Sequence, residues 1–165
     1  MPKHLELVLA GLSRQSLTDL ELWICDDGSG PETTALIERY KKEAPFRVEH
    51  VRQEHDGFRK CRILNTALRQ AQGEVAVFLD GDCVPHPHYV RDHVEQQAQG
   101  YYLAGRRVEL GPEISAWLTP QQIKRGVLDA PIHPRVLWSF ARGDSEYANR
   151  MLRLTQPWLR RRLGM

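Results

Sequence analysis

Two short acidic stretches hold most of the chemistry this sequence can offer. Asp80-Gly81-Asp82 follows the apolar run Val75-Ala-Val-Phe-Leu79, and Asp26-Asp27-Gly28 follows a mostly apolar run from Leu20 to Cys25. Carboxylates two residues apart repel unless a positive group sits between them, and hard oxygen ligands point to Mg²⁺ or Mn²⁺. A polar strand end with two solvated aspartates is the plainer alternative. Two such strand ends on one sheet edge would suit a nucleotide, one carboxylate accepting from a base or ribose and another holding a metal on the phosphates. Arg59, Lys60 and Arg62 lie between them in sequence, near a helix start, where cations and free backbone N–H groups suit a pyrophosphate. Taken singly, each is more often part of a solvated helix face. Asp80-x-Asp82 followed by His86-x-His88 could be read as a metallohydrolase site, but surface histidines in a proline-flanked turn are the more ordinary reading, and His93 falls on the following helix. No Gly-x-x-x-x-Gly-Lys loop or Gly-x-Ser-x-Gly elbow occurs.

The elements that must position these residues follow from periodicity. Leu5, Val8, Leu9 and Leu12 share one helical face, which predicts a helix from residue 2 to about 16. The run into Cys25 predicts a buried strand. Ser29, three residues before Glu32, has capping-box spacing, and Pro31 suits the first turn of the helix that Pro45 ends. Arg47 to Val51 alternates as an edge strand does. A helix opens near Gly57, with Cys61, Leu64, Leu68 and Ala71 on one face. The run Val75–Leu79 predicts a strand buried on both faces, as in a parallel sheet. A helix from about Pro87 to Gln99 and a strand from about Tyr101 to Leu110 follow. Strict alternation of helix and strand argues for a three-layer α/β fold with a mainly parallel sheet. After Gly111, prolines at 112, 120, 131, 134 and 157 break the chain into short helical pieces. The expected organisation is a core over residues 1–110 and a helical segment over 111–165.

Length and composition bound the partners. The chain has 165 residues, enough for one domain with a real core, and a formal net charge of +2, which does not argue for nucleic acid. Arg150, Arg153, Arg160, Arg161 and Arg162 crowd the last stretch. Cys25, Cys61 and Cys83 show no metal-site or disulfide spacing, which suits a reducing cytoplasm. No apolar run approaches the roughly 20 residues of a membrane span. Membrane contact, if made, would be peripheral, with Trp158 to Leu163 touching anionic lipid or, more ordinarily, forming a solvated basic tail.

Taken together, Gln15-Ser-Leu, the strand into Asp26-Asp27-Gly28-Ser29, Glu32-Thr33, Gly57-Phe-Arg-Lys, Asn65, Gly73-Glu74, Phe78-Leu-Asp-Gly-Asp82, Pro85 and Gly105-Arg-Arg-Val108 resemble the family 2 glycosyltransferases of GT-A fold. The resemblance runs from about residue 5 to 110. It implies a nucleotide-sugar donor lying across the C-terminal edge of the sheet and a glycan or lipid-linked acceptor. It further implies transfer of a hexose with inversion, assisted by Mn²⁺ or Mg²⁺ acting as a Lewis acid on the leaving diphosphate. Asp27 looks like the carboxylate that contacts the base. Arg59 looks like the basic residue near base or phosphates, with Arg62 a second candidate. Asp80 and Asp82 look like the Asp-x-Asp motif, Asp82 bearing the metal and Asp80 nearer the ribose.

The sequence also departs from the family. Members begin with an apolar strand that lies centrally in the sheet, and here Met1 falls where that strand should have finished. The expected sheet therefore lacks its first strand, and its neighbours lose a shared hydrogen-bonding partner. No Glu-Asp-like acidic motif, the family's general base, follows Leu110. Asp129, Asp144 and Glu146 are the clearest downstream acids, and no catalytic base is assigned. A chain that looks truncated at both ends has a second reading, a binding-only fragment or pseudoenzyme that keeps part of the donor site.

Overall fold

The computed structural model describes residues 2–129 and 133–147. They fall into two compact units, Met1–Leu103 and Ala104–Met165.

In the first unit, helix α1 (Pro2–Leu12), strand β1 (Glu21–Asp27), helix α2 (Pro31–Glu43), strand β2 (Arg47–Gln53), helix α3 (Lys60–Leu68) and helix α4 (Tyr89–Glu95) follow in order. β1 and β2 pair in parallel, Glu21 opposite Arg47 through to Asp27 opposite Gln53. The pleat sends alternate residues to opposite faces. One face packs under α1 and α2: Val8, Leu9, Leu12, Leu36, Tyr40 and Val48 form the buried core, with Leu22, Ile24 and Leu79 packed against it. On the other face Cys25 Sγ lies 4.0 Å from the Ile63 carbonyl of α3. Helices thus cover both faces of a parallel pair, the three-layer arrangement that the alternation predicts.

Several local expectations are corrected. α1 stops at Leu12 rather than near residue 16, because the chain beyond it turns and the Ser16 amide donates to the Pro87 carbonyl (2.8 Å). α4 correspondingly starts at Tyr89, after the turn that meets Ser16. The cap of α2 is Gly30, with Pro31 in the first turn as expected; Ser29 instead gives its amide to Asp26 Oδ1 at 2.7 Å.

The larger correction concerns the expected strand Val75–Leu79. This segment is outside the sheet, which among the described residues has two strands, β1 and β2. Val75, Val77 and Leu79 are half-buried, while Ala76 and Phe78 are exposed, Phe78 at 58%. The reason is physical: a strand needs a neighbour for its ladder, and among the described residues none lies between β1 and this segment. The segment is tied by side chains instead. Glu21 Oε1 accepts from the amides of Gln72 and Gly73, and the Tyr89 hydroxyl donates to the Phe78 carbonyl at 2.8 Å. The expected strand Tyr101–Leu110 is likewise irregular, apart from an antiparallel bridge from Glu109 to Glu146.

The second unit contains short helices, α5 (Pro112–Trp117), α6 (Pro120–Lys124) and α7 (Pro134–Ala141). Ile114, Leu118, Ile123 and Val136 are buried in it. Each helix has proline in its first turn, where the missing N–H costs nothing, and Thr119 with Gln122 forms a reciprocal capping box. No described helix is long and apolar enough to cross a membrane. Trp158 to Leu163 lie outside the described residues.

Candidate functional site

The end of β1 splits its two aspartates. Asp26 turns to the α2 face and is buried, 4% exposed, where it accepts from the Ser29 amide and from His50 Nε2 (3.2 Å) and lies 3.8 Å from Arg52 Nε. Burial pushes its carboxyl up, and the Ser29 and His50 hydrogen bonds more than offset this, leaving it below the usual aspartate range. Asp26 is therefore a structural anchor for the turn after β1.

Asp27 turns the other way. Its Oδ1 accepts from Gln53 Nε2 at 2.6 Å, and its Oδ2 from His55 Nδ1 at 3.3 Å. The Gln53 hydrogen bond first, then His55 and the nearby Arg59 charge, holds its carboxyl below the ordinary range. Gly28 has φ +80°, and a Cβ there would meet His55 N at 2.7 Å, so glycine permits the close approach of His55.

The start of α3 links this carboxylate to the second acidic stretch. Gln53 Nε2 also reaches the Arg59 carbonyl at 3.3 Å, and the next residue, Lys60, places Nζ 2.5 Å from Asp80 Oδ1. The Asp80 hydrogen bond raises the Lys60 ammonium above its ordinary value. Arg59 pairs with Asp56 (3.1 Å) and donates to the Glu54 carbonyl, while its buried Nε has no partner among the described residues. Arg62 is exposed.

Asp80 begins a turn closed by the Cys83 amide donating to its carbonyl at 3.1 Å. Within this turn the ligand atoms of Asp80, Asp82 and Cys83 all lie within 4.8 Å of one another. The two exposed carboxylates offer the hard oxygens that Mg²⁺ and Mn²⁺ take, and the half-buried thiol adds a softer donor. The donor set fits a divalent cation with Lys60 displaced from Asp80. The histidines do not join it. His88 Nδ1 lies 2.7 Å from Ser16 Oγ, and His93 Nδ1 donates to the Tyr89 carbonyl at 2.8 Å.

Of the residues singled out from sequence, the structure connects Asp27, Arg59 and Asp80 through Gln53 and Lys60, and it keeps Asp82 in the Asp80 turn. Gln53, His55 and Cys83 were missed. Gln53 was findable in principle, since a parallel register sets it opposite Asp27.

Residues 2–162 match the family described as Glycosyl transferase family 2. Chondroitin synthase of Escherichia coli is 31% identical over 94 residues, 56% of this chain and 13% of that protein. Hyaluronan synthase of Pasteurella multocida is 31% identical over 96 residues, 58% of this chain and 10% of that protein. Poly(ribitol-phosphate) beta-N-acetylglucosaminyltransferase TarS of Staphylococcus aureus is 32% identical over 82 residues, 48% of this chain and 14% of that protein. The chain thus spans a small part of the length of these relatives. With a parallel pair of strands covered by helices on both faces and a family match over residues 2–162, this chain belongs to the family 2 glycosyltransferases and to their GT-A fold class.

Proposed function

We propose that the chain binds a nucleotide diphosphate sugar and takes part in transferring its hexose, with inversion, to a glycan or lipid-linked acceptor. The observation that carries this reading is the continuous link from Asp27 through Gln53 and the Arg59–Lys60 helix start to Asp80. It sets carboxylates on both sides of a cationic segment, as a donor with a base at one end and a diphosphate at the other requires. Asp27 would accept from the base, Arg59 and Arg62 would face base or phosphates, and Asp80 and Asp82 would hold Mn²⁺ or Mg²⁺. When bound, the cation neutralises charge on the leaving diphosphate. Residues 1–110 would form this donor side and 111–165 part of the acceptor side. The activities for which the relatives are named, chondroitin and hyaluronan synthesis and N-acetylglucosaminyl transfer to poly(ribitol phosphate), support a hexose donor and a polymeric acceptor.

The test has two stages. A panel of nucleoside diphosphates with Mn²⁺ should raise the melting temperature, by roughly 5–10 °C at a hundredfold excess over Kd. The selected nucleotide sugar should then label an added glycan acceptor. No shift with any base would overturn the donor-site reading. Binding without transfer would assign the chain to the second reading, a donor-binding piece that is catalytically incomplete, which the absence of ladder pairing along Val75–Leu79 favours.

A further inference from the structure

Asp80 and Asp82 lie on a segment without a sheet ladder, so their placement depends on what grips the chain on either side. Downstream the grip is Gln15. It is 5% exposed, and both ends of its amide are used: Nε2 donates to the His86 carbonyl at 2.9 Å, and Oε1 accepts from the Val90 amide at 3.0 Å. Ser16 adds to the same dock, its amide donating to Pro87 and its carbonyl accepting from Arg91 at 2.7 Å. One turn earlier, Gly11 lies so close to the chain leaving Asp82 that a Cβ would meet Pro85 Cδ at 2.9 Å and Val84 Cγ1 at 3.0 Å. The chain leaving Asp82 is therefore seated on the end of α1 within two residues.

A buried amide with both ends paired is costly to replace, because each backbone partner left behind is an unsatisfied polar group. We propose that Gln15 is a positioning residue for the Asp80–Asp82 turn: by holding the His86 carbonyl and the Val90 amide it sets where the two carboxylates meet a cation. This rests on the donor-site reading above. Gln15 touches neither acid and acts only through the chain it holds.

The substitution Gln15→Glu separates this role from a merely structural one. A neutral glutamic acid side chain at this position keeps the two shorter hydrogen bonds, its O–H donating to the His86 carbonyl and its carbonyl oxygen accepting from the Val90 amide, and gives up only the long 3.4 Å contact of Nε2 with the Gly11 carbonyl. The ionised form only accepts, and it faces the His86 carbonyl. Burial raises a carboxyl, so the change falls at mildly acidic to neutral pH. His86, His88 and Arg91 stand around this dock; their own titration is common to both chains and cancels in the ratio of variant to wild-type affinity, while their charge on the new carboxylate shifts only the pH at which the change falls.

The probe is Mn²⁺ alone, titrated into the full chain and followed by the paramagnetic resonance of the free ion, with circular dichroism confirming the fold. Gln15→Leu should bind Mn²⁺ about tenfold more weakly than wild type. Gln15→Glu should show the same deficit near pH 8 and approach the wild-type value near about pH 6. Wild-type affinity in a folded Gln15→Leu would overturn the inference and leave the metal reading standing. If Gln15→Leu does not fold, a Gln15→Glu to wild-type ratio that is flat with pH overturns it. A wild-type chain that takes up no Mn²⁺ would overturn the metal reading and the inference together.

Discussion

Gln53 stands directly opposite Asp27 in the parallel ladder, and its side-chain amide donates to Asp27 Oδ1 at 2.6 Å while also reaching the Arg59 carbonyl at 3.3 Å. One side chain thus sets the carboxylate at the end of β1 and the start of α3, the two parts of the site that no backbone pairing joins. Gln53→Leu should lower affinity for the nucleoside diphosphate about tenfold, the loss expected for a hydrogen bond to a charged group. It should also let the Asp27 carboxyl rise toward its ordinary range, because that hydrogen bond is the main cause holding it down. The acid limb of nucleotide binding then moves to higher pH. Titration calorimetry across the acid range checks both effects, and an unmoved acid limb would remove Asp27 as the titrating contact.

Lys60 is the counter-ion that Asp80 has in the absence of metal, Nζ to Oδ1 at 2.5 Å, with both side chains half exposed. The ammonium is held above its ordinary value, so it stays charged across neutral pH, and on the basic side the pair is lost as pH rises through that raised value. A cation arriving at Asp80 must displace it. Lys60→Met should therefore tighten Mn²⁺ binding roughly two- to fivefold, the scale of an exposed ion pair, while weakening metal-free nucleoside diphosphate. Weaker Mn²⁺ binding in the variant would show that Lys60 does not compete for the site.

How much of this was legible depended on whether the deciding contact was local. The spacing of Leu5, Val8, Leu9 and Leu12 placed α1, and the pleat of β1 already implied that Asp26 and Asp27 face opposite ways. Val75–Leu79 has the composition of a strand, but a ladder is a property of two segments, and its partner cannot be inferred from its own residues. The roles of Gln15 and Gln53 were not legible from their own residue type, because an amide looks alike in solvent and in a dock; for Gln53 only the register opposite Asp27 could have pointed to it. Their partners lie 71 and 75 positions away for Gln15, and 26 for Gln53. The contact of His88 was illegible for the same reason: its ring meets Ser16, 72 positions earlier.

Gly11 tests the seat of the Asp82 segment without removing a hydrogen-bonding side chain. Alanine would add up to about 1 kcal/mol of helix propensity, less near the end of α1. Its Cβ would meet the rigid Pro85 ring at 2.9 Å and the Pro85 carbonyl at 3.3 Å. Overpacking of this kind costs about 1–3 kcal/mol, so the clash outweighs the gain. Gly11→Ala should melt roughly 2–6 °C lower than wild type. An equal or higher melting temperature would mean that Val84 and Pro85 can shift freely.

Asp26 should behave quite differently from its neighbour, because it is buried and faces α2. The Ser29 amide, His50 and Arg52 surround its carboxylate. Burial raises this carboxyl and the hydrogen bonds outweigh it, so the folded state binds its proton less readily than the unfolded chain does. Its contribution to stability is then fully present above the usual aspartate range and is lost as pH falls through the lowered value. Asp26→Asn keeps an acceptor for Ser29 but turns an amide toward His50 or loses the charge facing it. The variant should be less stable at pH 7 by about 1–3 kcal/mol, with the difference narrowing as pH approaches about 3. Denaturant melts over that pH series measure it. A gap that stays constant into acid would show that the carboxylate's charge contributes nothing there. Nucleotide affinity should be unchanged, since the pleat separates Asp26 from the face where Asp27 stands.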